Sequence, residues 1–392
     1  KEAGIKANGY APYLIMQANH SGRYSNPGNK PAPMIAYRHP ILEQYRAADD
    51  SCIVTDDYLK GLEEKFGEAA ALAKEAGFDA VDIKSCHGYL LAELASAYNR
   101  PGAYGGSFEN RFRLLKNGIR AAKRKGIETW AGEHAPDIWC MQEVRAPQDE
   151  LDPIFGEFGF EYATAGKIAD QSELTAMNEV CRVKGRAGVG LLTDLPVTAR
   201  RYGLSGLDED VDSGRWIEAD VTTPQGYGIT VACVYVHAGN SDDPVKMAQK
   251  YRFLDTMLTR MGELRDEASR GGRQAVLCGD FNIAHTPLDI KNAKANIKHA
   301  GFLPAERAYI DRWLGEYEFV DVIRSLAGDI QGPYTWWSQR GRAFDNNVGW
   351  RIDYQFATPE LAETARGFVI DKAPSYDARW SDHAPLTVTY DV

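Results

Sequence analysis

The stretch Gln274-Ala275-Val276-Leu277-Cys278-Gly279-Asp280-Phe281-Asn282-Ile283-Ala284 decides how the rest of the chain is read. Its apolar run, Ala275 to Cys278, reads as a buried strand that breaks at Gly279. Asp280 and Asn282 follow two residues apart, so alternation points a carboxylate and a carboxamide the same way. Loops at strand ends are where sheets hold their reacting groups, which makes this pair a candidate site. The structural alternative for Gly-Asp-x-Asn is an Asx turn closing a hairpin.

Working outward, three more short apolar runs end in or flank an acid. They are Asp137-Ile138-Trp139-Cys140-Met141-Gln142-Glu143, Gly349-Trp350-Arg351-Ile352-Asp353-Tyr354 and Ser381-Asp382-His383-Ala384-Pro385. In this order and with these residues, the four runs resemble the exonuclease III family of endonuclease/exonuclease/phosphatase proteins, from about Asn117 to Val392. The resemblance implies an α/β fold, a four-layer sandwich of two mixed sheets flanked by helices. It also implies a phosphodiester hydrolase in which Glu143 and Asp382 ligate a divalent cation. Asp280 would orient and deprotonate the attacking water, and Asn282 would hold a phosphate oxygen. Asp353 would orient His383, whose charged imidazole binds a phosphate oxygen. Tyr235, closing the strand-like run Thr230–Tyr235, would point its phenol at the scissile phosphate; ordinary strand packing is the alternative for it.

Hard carboxylates suit Mg²⁺, which keeps several waters and needs only one or two protein carboxylates. Mn²⁺ is an alternative. Trp336, Trp350 and Ile352 would wall a small apolar pocket that admits a flipped-out abasic sugar and excludes an intact nucleotide. The expected activity is Mg²⁺-dependent cleavage 5′ to an abasic site in duplex DNA, with 3′→5′ exonuclease and 3′-phosphatase action at 3′ ends. The expected protein is a cytoplasmic monomer whose partner is DNA.

The junction falls on the family's first motif, an opening strand ending in a pattern like Trp-Asn-Val-Asn-Gly-Ile-Arg whose first Asn supports the metal site. Asn117-Gly118-Ile119-Arg120 matches its second half and supplies Asn117 as a metal-site candidate. Two positions earlier stands Leu115, which has no hydrogen-bonding group. Phe112–Lys116 would have to replace the missing strand for the neighbouring ladder to be satisfied. A catalytically impaired DNA-binding relic is therefore a second reading.

Residues 1–116 read differently: a strand at Pro12–Gln17, a helix over Tyr58–Gly77, a strand at Phe78–Lys84, then a helix or turn over Gly88–Tyr98 and a Gly-rich loop at Gly102–Gly106. The segments Gln17-Ala18-Asn19-His20-Ser21-Gly22-Arg23, His87-Gly88-Tyr89-Leu90-Leu91, Asn99-Arg100-Pro101 and Tyr104–Arg111 resemble the flavin-dependent old yellow enzyme family, a TIM barrel. Such a barrel needs roughly 250 residues and takes its phosphate site from the last strands. This segment offers two or three βα units, so the expectation is a truncated barrel-derived piece. Gln17 and His87 would be relics of a flavin site, and a working FMN site is not expected. Flavin-dependent ene reduction is the third reading.

Composition sets the frame. Hydrophobic residues make up 44% of the 392 and charged residues 26%, enough for a large core in a soluble chain of about two domains. No run reaches the roughly 18 apolar residues of a membrane span, and no secretory signal opens the chain. Cys52, Cys86, Cys140, Cys181, Cys233 and Cys278 lack metal-type or disulfide-type spacing and read as thiols in a reducing compartment. Residues 1–116 are charge-balanced, so the net charge of −10 belongs to the nuclease-like part. Binding to DNA would then rest on local clusters, Arg120/Lys123/Arg124/Lys125, Arg182/Lys184/Arg186 and Arg200/Arg201, together with the cation.

Overall fold

The computed structural model describes the chain apart from residues 2–4, 7–8, 10–11, 13, 146–147, 180–186, 205–213 and 377, and apart from the side chains of 123–126, 129, 148–150, 152–153 and 161. The chain packs as two units, Lys1–Trp130 and Ala131–Val392.

In the first unit, β1 (Ile15–Ala18) and β2 (Ala80–Ile83) pair in parallel across the crossover helix α1 (Asp56–Glu75). Thr55 caps α1 by accepting from the backbone N–H of Tyr58, and Asp56 and Asp57 complement the positive end of its dipole. Leu59 and Phe66 of α1 pack with Leu90, Leu91 and Leu94 of α2 (Leu90–Ala95) and with Leu114. Among the described residues the sheet has only these two strands.

Phe112–Lys116 does not pair as a strand: Arg113 opens the long helix α3 (Arg113–His134). Leu114, Gly118 and Ala121 are buried at helical spacing, so a 3.6-residue period runs straight through the supposed strand-end motif. Gly118 serves close helix packing, since a Cβ there would lie 2.9 Å from the ring of Phe66. Leu115 packs against the first unit's core. Residue 117 thus lies inside α3, and the division between the units falls further along the same helix.

The second unit contains β3 (Ile138–Val144), β4 (Thr175–Glu179), β5 (Gly188–Thr193), β6 (Val197–Tyr202), β7 (Trp216–Thr222), β8 (Gly228–Tyr235), β9 (Gln274–Asp280), β10 (Val320–Asp321), β11 (Asp353–Ala357), β12 (Ala365–Ile370) and β13 (Leu386–Tyr390). Six of them form a mixed sheet in the order β10-β11-β9-β8-β7-β6, in which only β8 and β9 run parallel. Their crossover is the helix α4 (Pro244–Ser269), as a parallel pair requires. The second sheet was also expected to be mixed. Among the described residues it is instead an antiparallel triplet, β3-β5-β4, with a separate antiparallel pair, β12-β13.

Alternation along the strands builds the layers. Val231, Cys233 and Tyr235 of β8 and Val276 of β9 pack against Val189 and Leu191 of β5 in a core between the sheets. Ala232, Val234, Ala275, Leu277, Tyr354 and Phe356 face the other way, against Phe253, Leu254 and Met257 of α4 and Trp313 of α5 (Pro304–Gly315). Both faces of β8 and β9 are buried, which is why their sequences read as unbroken apolar runs. Among the described residues no helix is long and apolar enough to cross a membrane.

Candidate active site

Two acids and a phenol converge because the register of three strands puts them side by side. Tyr235 is the partner of Asp280 in the parallel β8–β9 ladder, and Asp353 is the partner of Asp280 in the antiparallel β9–β11 ladder. All three follow the parity of residues facing the second sheet, at the ends of their strands. The strand end is shaped by Gly279, whose φ is +153°; a Cβ there would collide with the carbonyl oxygen of Val234.

Asp280 is 4% exposed. Its Oδ1 accepts from the backbone N–H of Asn282 (2.8 Å) and its Oδ2 from the Asn282 side chain (2.9 Å). This is an Asx turn, with Asn282 in the left-handed region at φ +51°. The turn and the site are therefore one object, and it closes no hairpin. The second amide hydrogen of Asn282 goes to the carbonyl of Val236 (3.0 Å). Both amide hydrogens of Asn282 are engaged, and one of them braces Asp280.

His383 bridges two carboxylates. Its Nδ1 lies 2.9 Å from Oδ2 and 3.1 Å from Oδ1 of Asp353, and its Nε2 lies 4.0 Å from Oδ2 of Asp280. Burial opposes charge on the imidazole, but Asp353 outweighs it and holds the pKa up to about 10. Burial raises Asp280 to about 7, with Asp353 reinforcing the shift and His383 opposing it. A cation and a carboxylate poised near neutrality therefore face each other.

Glu143 is the next-to-last residue of β3, at φ +59°, and a register shift in the β3–β5 ladder accompanies that turn. Its Oε1 accepts from the Tyr235 hydroxyl (2.6 Å) and its Oε2 pairs with Arg145 (2.7 Å). Burial, then the bond to Glu143, pushes the Tyr235 phenol above its ordinary value, so it stays a donor. Among the described residues no three His, Cys, Asp or Glu side chains converge as a metal cage. The Glu143 carboxylate is half exposed, a hard oxygen donor open to water on one side. That suits an ion that keeps most of its own water shell.

Residues 115–383 match the Endonuclease/Exonuclease/phosphatase family. The chain belongs to that family. It is 30% identical over 277 residues to an exodeoxyribonuclease of Bacillus subtilis (strain 168), covering 70% of this chain and 97% of the relative. It is 28% identical over 287 residues to a DNA-(apurinic or apyrimidinic site) endonuclease of Dictyostelium discoideum, covering 72% of each. Among solved structures it resembles an AP endonuclease from Archaeoglobus fulgidus, with TM-score 0.56 and 27% identity, over 69% of this chain and 95% of the other. It also resembles a 3′ phosphatase from Neisseria bound to product DNA hairpin, with TM-score 0.55 and 25% identity, over 68% and 93%. Members of the family hydrolyse phosphodiester bonds, and its nucleases use divalent metals. Residues 8–134 match the NADH:flavin oxidoreductase / NADH oxidase family, and the two matches share 115–134, which lies within α3.

Trp336, Trp350 and Ile352 lie together in one apolar cluster. Trp336 and Trp350 meet edge to face, ring centroids 6.0 Å apart, and both pack against Ile352, Ile290 and Phe302. Backbone bridges join Trp336 to Trp350 and to His383. The indole N–H of Trp336 donates to Asp382 (3.0 Å), tying this apolar cluster to the candidate metal ligand. Trp337 is core: it is 2% exposed and donates to Asn347.

Other candidates lie elsewhere. Asn117 donates to Glu63 of α1 (3.0 Å), within the first unit, and no strand end presents it. Gln17 is exposed and donates to Asp82 (2.7 Å), while His87 is exposed beside Cys86, with 3.6 Å between Nδ1 and Sγ. Arg201 pairs with Glu218 and Asp220 rather than standing free. The side chains of Lys123, Arg124 and Lys125, and all of Cys181, Arg182, Lys184 and Arg186, lie outside the described residues.

Sequence reading missed a basic surface. Lys291, Lys294 and Lys298 are exposed on the segment that hydrogen-bonds Gly349 and bridges to Trp350, next to the pocket. Their spacing of three and four residues was the signal.

Proposed function

We propose that the part of the chain from about Asn117 to Val392 hydrolyses the phosphodiester 5′ to an abasic site in duplex DNA, with 3′→5′ exonuclease and 3′-phosphatase action at strand ends, as a cytoplasmic monomer dependent on Mg²⁺. The observation that carries this reading is the lateral register of Tyr235, Asp280 and Asp353, with His383 closing the group. It supports an in-line displacement in which positioning and charge do most of the work.

In that reaction Asp280 takes the proton of the attacking water as its oxygen bonds phosphorus. The bond from phosphorus to the 3′ oxygen breaks, and that oxygen is protonated from solvent. Asn282 holds the Asp280 carboxylate in the orientation that meets the water. His383, kept charged by Asp353, offsets charge on a non-bridging oxygen, and the Tyr235 hydroxyl donates at the same phosphate. A divalent cation, when bound, supplies further neutralisation at the phosphate, and Glu143 and Asp382 are the residues that would hold it. Trp336, Trp350 and Ile352 accept the base-free sugar.

The test is nicking of a duplex carrying one tetrahydrofuran site, with Mg²⁺ and with chelator, by the parent protein and by Asp280→Asn. Metal-dependent nicking by the parent alone is the expected result. No nicking by the parent would leave the impaired, DNA-binding reading, which rests on Leu115 standing where the family has an amide. The match of residues 8–134 to a flavin family favours one further reading, flavin binding by the first unit. Absorbance near 450 nm in the purified protein decides it, because only that reading requires a bound chromophore.

A further inference from the structure

Lys250 and Glu306 are both fully buried, and each lies on a helix whose remaining inward residues are apolar. Lys250 Nζ donates to the carbonyl of Ala238 (3.2 Å) and to the carbonyl of Asn282 (3.0 Å), and lies 2.6 Å from Glu306 Oε1. The other carboxylate oxygen of Glu306 accepts from the backbone N–H groups of Gly301 (2.7 Å) and Leu303 (3.0 Å). The pair therefore joins the loop after Tyr235, the left-handed turn at Asn282 and the turn at 301–303, whose Gly301 carbonyl accepts from Ala284 N–H. There is no slack around it: a Cβ on Gly239 would approach the Lys250 side chain to 3.2 Å.

A buried ion pair is poor evidence for stability, because well-packed apolar residues in its place are often as stable or more so. What such residues cannot do is hold two backbone carbonyls from separate loops. We propose that Lys250 and Glu306 are a positioning pair for the hydrolysis proposed above, fixing the Asn282 turn so that its side chain stays on Asp280. Neither residue touches substrate. Without the pair, the Asn282 carbonyl loses its buried donor and the left-handed turn is free to relax, taking the Asp280 brace with it.

The test uses the full chain and the double variant Lys250→Met/Glu306→Leu, which avoids leaving one charge buried alone. It should fold, with a melting temperature lowered because the carbonyls of Ala238 and Asn282 and the N–H groups of Gly301 and Leu303 lose their partners. On the tetrahydrofuran duplex its kcat should fall by about 10- to 100-fold, the scale of a small misplacement, with KM essentially unchanged. Hydrogen–deuterium exchange should quicken in 236–239 and 280–284 and not in β7. Parent-like kcat, or parent-like exchange in those two segments, overturns the proposal. So does failure of the double variant to fold, which would make the pair a stability element. If the parent itself does not nick, the proposed function fails, and the exchange comparison still decides whether the pair positions the turn.

Discussion

Tyr235 on the six-stranded sheet donates its hydroxyl to Glu143 on the three-stranded sheet, 2.6 Å away. This bond links the two sheets and ties a residue of the acid cluster to the candidate metal ligand. Tyr235→Phe keeps the ring and its Arg215 neighbour, 4.7 Å from the centroid, and removes only the donor. Nicking should fall by about 10²-fold, the size of losing one donor at a developing oxyanion. The melting temperature should shift little, since one hydrogen bond is worth about 1 kcal/mol. Steady-state kinetics with thermal melts check both.

Asp280 should set the acid limb of the pH profile. Only its ionised form can take a proton, so kcat/KM should rise with pH and level off above about 7. Asp280→Asn should lower the rate by about 10²- to 10⁴-fold and erase that limb. Stability moves the opposite way. The folded-state pKa lies above the unfolded one, so the folded protein holds the proton longer and loses stability as pH rises from about 4 to about 7. Denaturation at pH 5 and pH 8 should show that difference in the parent and less of it in the variant.

Arg351 is buried between Asp289 and Asp321, donating from Nε at 2.7 Å to the first and from both Nη atoms at 2.9 and 2.7 Å to the second. It stands between the pocket residues Trp350 and Ile352. Arg351→Met leaves those carboxylates without it, although Arg324 still contacts Asp289. The expected cost is about 3–5 kcal/mol, measured by urea titration.

The ring of Trp350, a candidate pocket residue, comes against Gly301, where a Cβ would sit 3.1 Å away. Trp350→Ala should widen the pocket and weaken selection for a base-free sugar. Relative to exonuclease action on a matched 3′ end, tetrahydrofuran nicking should fall about 10-fold, the scale of apolar-pocket discrimination. Equal losses on both substrates would mean that the ring only packs.

Lys291, Lys294 and Lys298 offer positive charge beside the pocket on a chain of net charge −10. Replacing all three with Ala should weaken duplex binding at low salt. The plot of log K against log salt should flatten by about 0.9 for each phosphate that is no longer neutralised. Fluorescence anisotropy at salt concentrations from about 50 to 200 mM would show an unchanged slope if these lysines do not face DNA.

The strands that carry Asp280, Tyr235 and Glu143 were legible because burial on both faces leaves a run of apolar residues and alternation is a local rule. The motif at Asn117 misled for an equally local reason. Gly118 and Ile119 fit a strand end as words, while Leu114, Gly118 and Ala121 carry the helical period that the chain adopts. The Asx-turn alternative for Asp280–Asn282 was present in the sequence too, and the structure makes it part of the site.

The sequence by itself made legible the strands that carry Glu143, Tyr235 and Asp280, the order of the acidic motifs and the resemblance to the family. It could do so because periodicity and motif spacing are properties of neighbouring residues. Only the tertiary structure decided which atoms meet. Register puts Tyr235, Asp280 and Asp353 in one row. The carbonyl of Val236 takes one hydrogen of the Asn282 amide, and a lysine hidden in an apolar helix face holds the turn beneath it. Those bonds join segments 32 and 46 residues apart, and no local period records them.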